Sequence, residues 1–138
     1  MTASCCTAWA TPAADSALWL VAWARSRVRS PSGSCSLTTS AGRFVATQDR
    51  NLQGKEILWV DYDAAISLHP VITSNATERR AQRLDSSSPQ DNRISYGCIN
   101  VPAEFFDAHL LPVFSAQAAA IYVLPDQLTL EQVFGSLP

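Results

Sequence analysis

At 138 residues, with 47% hydrophobic and 16% charged side chains, the chain has the length of one domain and enough apolar content to bury a core. A net charge of −2 gives no basic footprint, so nucleic acid is not expected as a partner. The four cysteines (Cys5, Cys6, Cys35 and Cys98) and two histidines (His69 and His109) contain no C-x-x-C pair, so neither a metal site nor a dense disulfide framework is expected.

Residues 1–36 differ in character from the rest. They hold Trp9, Trp19 and Trp23 and three of the four cysteines, and they end in a Ser/Pro/Gly stretch, Ser30 to Ser36, that reads as a linker. The apolar run Ala17 to Ala24 is too short to span a bilayer, so no stable membrane insertion is expected. It is followed rather than preceded by positive charge (Arg25, Arg27, Arg29), the reverse of a secretory signal. The spacing allows a short helix from Ser16 to Arg27, and the segment lacks the alternation of a strand.

From Arg43 the pattern becomes regular. Arg43 to Thr47 reads as a strand, Asn51 to Lys55 as a turn at Gly54, and Ile57 to Tyr62 as a second strand rich in β-branched and aromatic residues, with Ile57, Trp59 and Asp61 on one side. Ala65 to Val71 is a third strand; its period of two puts Ile66 and Leu68 on one face and Ser67 and His69 on the other, with Pro70 limiting further pairing. Asn75 and Glu78 resemble a capping box ahead of a helix, Ala76 to Leu84, that carries Arg79, Arg80 and Arg83. Asp85 to Asn92 reads as a loop. A helix from Pro102 to Leu111, a strand from Ala118 to Leu124 and a short C-terminal helix, capped by Thr129 with Gln132 and stopped at Gly135, complete an α+β, mainly β chain.

The chemistry is expected between Ile94 and Pro102. A thiol is nucleophilic only as thiolate, and its pKa falls beside a helix N-terminus or an imidazole. Gly97 permits a sharp reversal, and a helix starting at Pro102 would aim free N–H groups back at the sulfur of Cys98. His109 falls about three helical turns beyond the helix start, roughly 15 Å away, too far to act as a base, which leaves His69. Phe105 and Phe106 read as core. On these residues alone, a buried inert cysteine and a nucleophile are equally good descriptions of Cys98.

Ser95-Tyr96-Gly97-Cys98-Ile99-Asn100 resembles the active-site signature of the L,D-transpeptidases (YkuD-type domains), with Tyr96 where the family commonly has His. Thr38-Thr39-Ser40-Ala41-Gly42-Arg43-Phe44 is similar to the segment with which those domains enter a central strand, with Ser40 in place of Pro. Ala120 to Pro125 looks like their closing strand, so the resemblance spans about residues 37–126. It implies a two-part organisation, an irregular segment or linker over 1–36 and a catalytic domain over 37–138. The implied fold is a catalytic β-sandwich with short helices whose first strands are missing here.

The implied activity is acyl transfer on peptidoglycan stem peptides through a thioester, without metal or organic cofactor. Cys98 would be the nucleophile and His69 its base. The N–H groups of Gly97 and Cys98, with Tyr96 nearby, would form the oxyanion hole, and Ser95 and Asn100 would support the turn. Arg79, Arg83 and Arg93 are either a solvated face or a clamp for the carboxylates of an acidic stem. The implied location is the cell envelope or periplasm, from the substrate alone. Two other readings are a non-catalytic relative that binds stem peptides and an unrelated small cysteine hydrolase. A sheet lacking its first strands would have an open edge, so a marginally stable, aggregation-prone chain is expected.

Overall fold

The computed structural model describes residues 39, 41–88, 91–95, 97–124 and 128–135, together with the backbone of 9–11 and 19–23. Tyr96 and the expected linker Ser30 to Ser36 lie outside the described residues.

The chain is α+β and mainly β. Strands β1 (Trp9–Thr11), β2 (Trp19–Trp23), β3 (Gly42–Arg50), β4 (Glu56–Asp61), β5 (Ile66–Pro70), β6 (Ile99–Val101) and β7 (Ala119–Leu124) form one mixed sheet in the order β1-β2-β7-β3-β4-β5-β6. The nine-residue β3 joins two ladders: Gly42 to Ala46 pair antiparallel with β7, and Thr47 to Arg50 with β4. The sheet curls as its central strand passes from one neighbour to the other.

The N-terminal segment corrects the sequence reading. Where a helix from Ser16 to Arg27 was allowed, Trp19 to Trp23 is a strand, paired antiparallel with β1 and parallel with β7. The run Trp-Leu-Val-Ala-Trp suits a strand better than a helix surface, and the backbone groups of β7 give it a ladder to complete. The edge beside β7, expected to be open, is therefore paired.

Among the described residues, one apolar cluster lies inside the curl. Ala46, Leu58, Val60, Ile66, Leu68, Ile99, Val101, Ala119, Ile121 and Val123 point inward from the strands and meet Phe106, Leu110 and Phe114, a stripe of every fourth residue on one helical rod. That rod is continuous from α2 (Ala103–Phe105) through a π-helical turn (Phe106–Leu110) to α3 (Leu111–Ala116). It runs five residues past the expected end at Leu111. Proline inside an α-helix removes a hydrogen bond and clashes with the preceding turn, but the wider π-turn ahead of Pro112 opens the ladder there and lets the rod continue. Phe106 is core, 1% exposed, and Phe105 packs against the cluster.

The expected helix over 76–84 is broken. A 3-10 turn, Ala76–Glu78, and α1 (Arg80–Leu84) meet at Arg79, whose φ of 48° puts a non-glycine residue in the left-handed region. Asn75 accepts from the Thr77 N–H at 3.1 Å and donates to the Glu78 carboxylate at 2.9 Å, a variant of the expected box. The C-terminal helix α4 (Leu130–Phe134) has the full Thr129/Gln132 capping box and ends at Gly135. Tyr122 meets Phe134 of this helix, ring centroids 5.5 Å apart, on the face of β7 away from the core.

Candidate active site

The site is built by the parallel pairing of β5 with β6. Leu68 pairs with Ile99 and His69 with Asn100, so Cys98, one residue before β6, comes alongside Ser67. Alternation along each strand sends Leu68, Ile99 and Val101 to the core and leaves Ser67, His69, Cys98 and Asn100 on the opposite face. Two stretches 29 positions apart in sequence are thus fixed together by backbone ladder rather than by side-chain contact alone.

The His69 imidazole lies beside the Cys98 thiol across the ladder, and its interaction with the sulfur is the largest cause that brings the pKa down from 9.0 to about 7; the thiol itself lies 3.9 Å from the Ala65 carbonyl oxygen, to which it can donate. Burial opposes the shift, while the Ser67 backbone N–H, the Ser67 hydroxyl and the charge on His69 add to it. The hydroxyl lies 3.6 Å from Sγ. Burial of His69 disfavours its charged form; the hydrogen bond to Cys98, the Pro70 carbonyl and the thiolate charge outweigh that, so its pKa is raised despite the Arg80 guanidinium nearby. Shifts toward each other's charged state mark a thiolate–imidazolium pair in the making. His69 Nδ1 sits 2.8 Å from the Pro70 carbonyl oxygen. Because a carbonyl only accepts, Nδ1 carries the proton, and in the neutral ring Nε2 is left as the lone pair for the thiol.

The turn that presents the sulfur is held from several sides. Gly97 has φ 155°, a region that favours glycine. Its carbonyl accepts from the hydroxyl of Thr39, which is buried at 4% exposure. Ser95 Oγ donates to the Cys98 carbonyl at 2.5 Å and accepts from the Gly97 N–H at 3.4 Å. Asn100 Nδ2 donates to the same carbonyl at 3.2 Å, and its Oδ1 is buried without a partner among the described residues. Ser95 and Asn100 therefore both act on the backbone of the turn. Among the described residues, the Gly97 N–H, expected in the oxyanion hole, is engaged only through that long bond, which a substrate oxygen can displace.

Two expectations are corrected. The helix after Cys98 does not begin beside it: β6 intervenes, and α2 opens after Pro102. Four residues of extended chain separate the two by about 13 Å, so the helix end leaves the sulfur to His69 and Ser67. Arg83 is not free to clamp a carboxylate, because its Nε and Nη2 donate to the carbonyls of Asp91 and Arg93 at 3.1 and 2.7 Å. Together with Asn92, whose Nδ2 donates to the carbonyls of Arg83, Leu84 and Ser86, it staples the loop that leads to the site. Arg79 and Arg93 are exposed. His109 lies on the outer side of the rod against Phe105, centroids 5.2 Å apart.

Sequence reading passed over Ser67, Thr39 and the Pro70 carbonyl. A period-two pattern places Ser67 and His69 on one face but not the strand that will lie opposite them, and Thr39 reaches Gly97 across 58 positions. Beyond Ser67 on the same face, Trp59 pairs with it in register, donates its indole N–H to Asp49 at 2.9 Å and meets Tyr62 edge-on at 5.1 Å. No group of three or more metal-ligating side chains occurs among the described residues.

No family model, curated protein or solved structure matches the chain.

Proposed function

We propose that the protein is a cysteine-dependent acyltransferase of the L,D-transpeptidase kind, acting on peptidoglycan stem peptides in the cell envelope. The observation that carries the reading is the juxtaposition of Cys98 and His69 on paired strands: a thiol whose pKa is brought down to about 7 beside an imidazole whose Nδ1 is tied to the Pro70 carbonyl. The resemblance of residues 95–100 to the family signature supplies the substrate class. A curled mixed sheet packed on a helical rod, with base and nucleophile on adjacent strands, supports assigning the family's catalytic domain.

In the reaction, His69 Nε2 takes the thiol proton. The thiolate adds to the carbonyl carbon of an L-centred residue, and the oxyanion forms near the N–H groups of Gly97 and Cys98. Collapse breaks the C–N bond to the terminal D-amino acid, whose amine leaves with the proton from His69. The amine of a second stem then attacks the thioester, sulfur departs as thiolate, and His69 accepts the proton of the incoming amine.

The test is intact-protein mass spectrometry with a tetrapeptide stem. The expected result is a mass increase at Cys98 equal to the stem less its terminal D-amino acid, discharged by a stem-peptide amine and absent in Cys98→Ala. A folded wild-type protein that forms no adduct, or Cys98→Ala that turns over, overturns the proposal. An adduct discharged by water alone, with any amine refused, favours the small hydrolase reading.

A further inference from the structure

Ser67 is 7% exposed, and its hydroxyl has one hydrogen-bond partner among the described residues, the sulfur of Cys98 at 3.6 Å. A buried hydroxyl left without a partner is costly, and the parallel register holds this one alongside the thiol whatever the side chains do. The Ser67 backbone N–H adds to the lowering of the thiol's pKa. Once the sulfur is a thiolate it can only accept, so the Ser67 hydroxyl is then the donor of this pair. Of the titratable groups around it, His69 on the same strand faces the sulfur, and Arg80 of α1 acts on the imidazole from beyond.

We propose that the Ser67 hydroxyl is a catalytic hydrogen-bond donor to Cys98, holding the thiolate before attack and receiving it again as the leaving group when the thioester is resolved. The proposal rests on Cys98 being the nucleophile. When the S–C bond forms, the electron pair leaves sulfur's charge on the carbonyl oxygen and the Ser67 bond weakens. When the acceptor amine attacks, the C–S bond breaks, the pair returns to sulfur and the bond strengthens. Ser67 keeps its own proton throughout; the proton in transit is carried by His69.

A donor of this kind acts in two opposed directions. It raises the fraction of thiolate at low pH and lowers the intrinsic reactivity of each thiolate, because nucleophilicity falls as pKa falls. A residue that merely fills the sheet does neither.

The test is the iodoacetamide rate of Cys98 against pH, read by peptide mapping so that Cys5, Cys6 and Cys35 do not contribute. In Ser67→Ala the midpoint is expected to rise from about 7 by roughly one pH unit, as for loss of one hydrogen bond to a charged group. The rate at pH 6 is then roughly 3-fold lower and the high-pH plateau roughly 3-fold higher, so the two profiles cross. Ser67→Gly removes the same hydroxyl and is read if the alanine variant does not fold, while Ser67→Thr keeps the hydroxyl and the wild-type profile. A superimposable profile in the deletion variant, a uniform slowing at every pH, or a shift in Ser67→Thr equal to that in Ser67→Ala overturns the proposal. Alkylation needs no stem peptide, so a protein that never forms a peptide thioester still gives a readable answer. An unmoved profile would remove Ser67 from catalysis while leaving acyl transfer standing.

Discussion

Removing the imidazole tests how the thiol is activated. The His69 hydrogen bond is the largest cause holding Cys98 at about 7 in place of 9.0, so in His69→Ala the thiol is expected to move toward the higher value, with the Ser67 donors retaining part of the shift. If the whole shift were lost, the thiolate fraction at pH 7 would fall from about one half to about 1%, roughly 50-fold. Each remaining thiolate would be more reactive by roughly 6- to 10-fold for two units of pKa. The net expectation at pH 7 is an alkylation rate lower by roughly 5- to 8-fold, with the fully ionised plateau, approached at pH 10, higher by roughly 6- to 10-fold. The assay is the initial rate of Cys98 alkylation from pH 5 to 10, on protein shown to be folded by its thermal transition. A midpoint that stays near 7 would mean that His69 is a bystander and that the thiol owes its acidity to another group.

Four further outcomes are expected. Cys98→Ser abolishes stem-peptide transfer while shifting the thermal midpoint little, because the half-buried sulfur lies outside the core cluster. A carbapenem, as a strained acyl donor, leaves a covalent adduct on Cys98 that intact-mass measurement detects; no adduct on folded protein would favour a non-catalytic, peptide-binding relative. Asn92→Ala destabilises the chain by roughly 1–3 kcal/mol in urea unfolding, since three carbonyls lose one shared donor, yet leaves the thiol midpoint near 7. Phe106→Ala costs roughly 3–5 kcal/mol by thermal or urea unfolding, the cost of truncating a fully buried aromatic side chain.

The parts of the fold legible in sequence were those set by local rules. The strands 43–47, 57–62 and 65–71, the Gly54 turn and the Thr129 capping box lie where alternation and capping chemistry put them, each shifted or extended by a few residues. Strand β2 was not legible, because its partner β7 lies a hundred residues on and Trp-Leu-Val-Ala-Trp carries no period of its own. The helical rod runs on past Leu111 because a π-turn ahead of Pro112 accommodates a residue that ordinarily breaks a helix, and such a turn has no sequence mark. At the site, Cys98 and His69 stood out by chemistry and scarcity. The loss of the helix N-terminus from the sulfur was hidden, since Ile-Asn-Val is too short to declare itself a strand until β5 offers it a ladder. Arg83 looked like a free charge for the same reason: its acceptors are main-chain carbonyls, which every residue has.

Because β5 and β6 are neighbours in the sheet but far apart along the chain, the reactive pair is also a long-range folding contact. The connection must close before His69 and Cys98 can meet, at a loop-closure cost of roughly 3 kcal/mol beyond a constant term. Non-local contacts of this sort are slow to form. A refolding chain can therefore carry its hairpins and helical rod while Cys98 is still an ordinary, protonated thiol at neutral pH. Thiol reactivity at pH 7 becomes a clock for the docking of β6, and pulsed alkylation during refolding would separate chains that have folded from chains that have become competent.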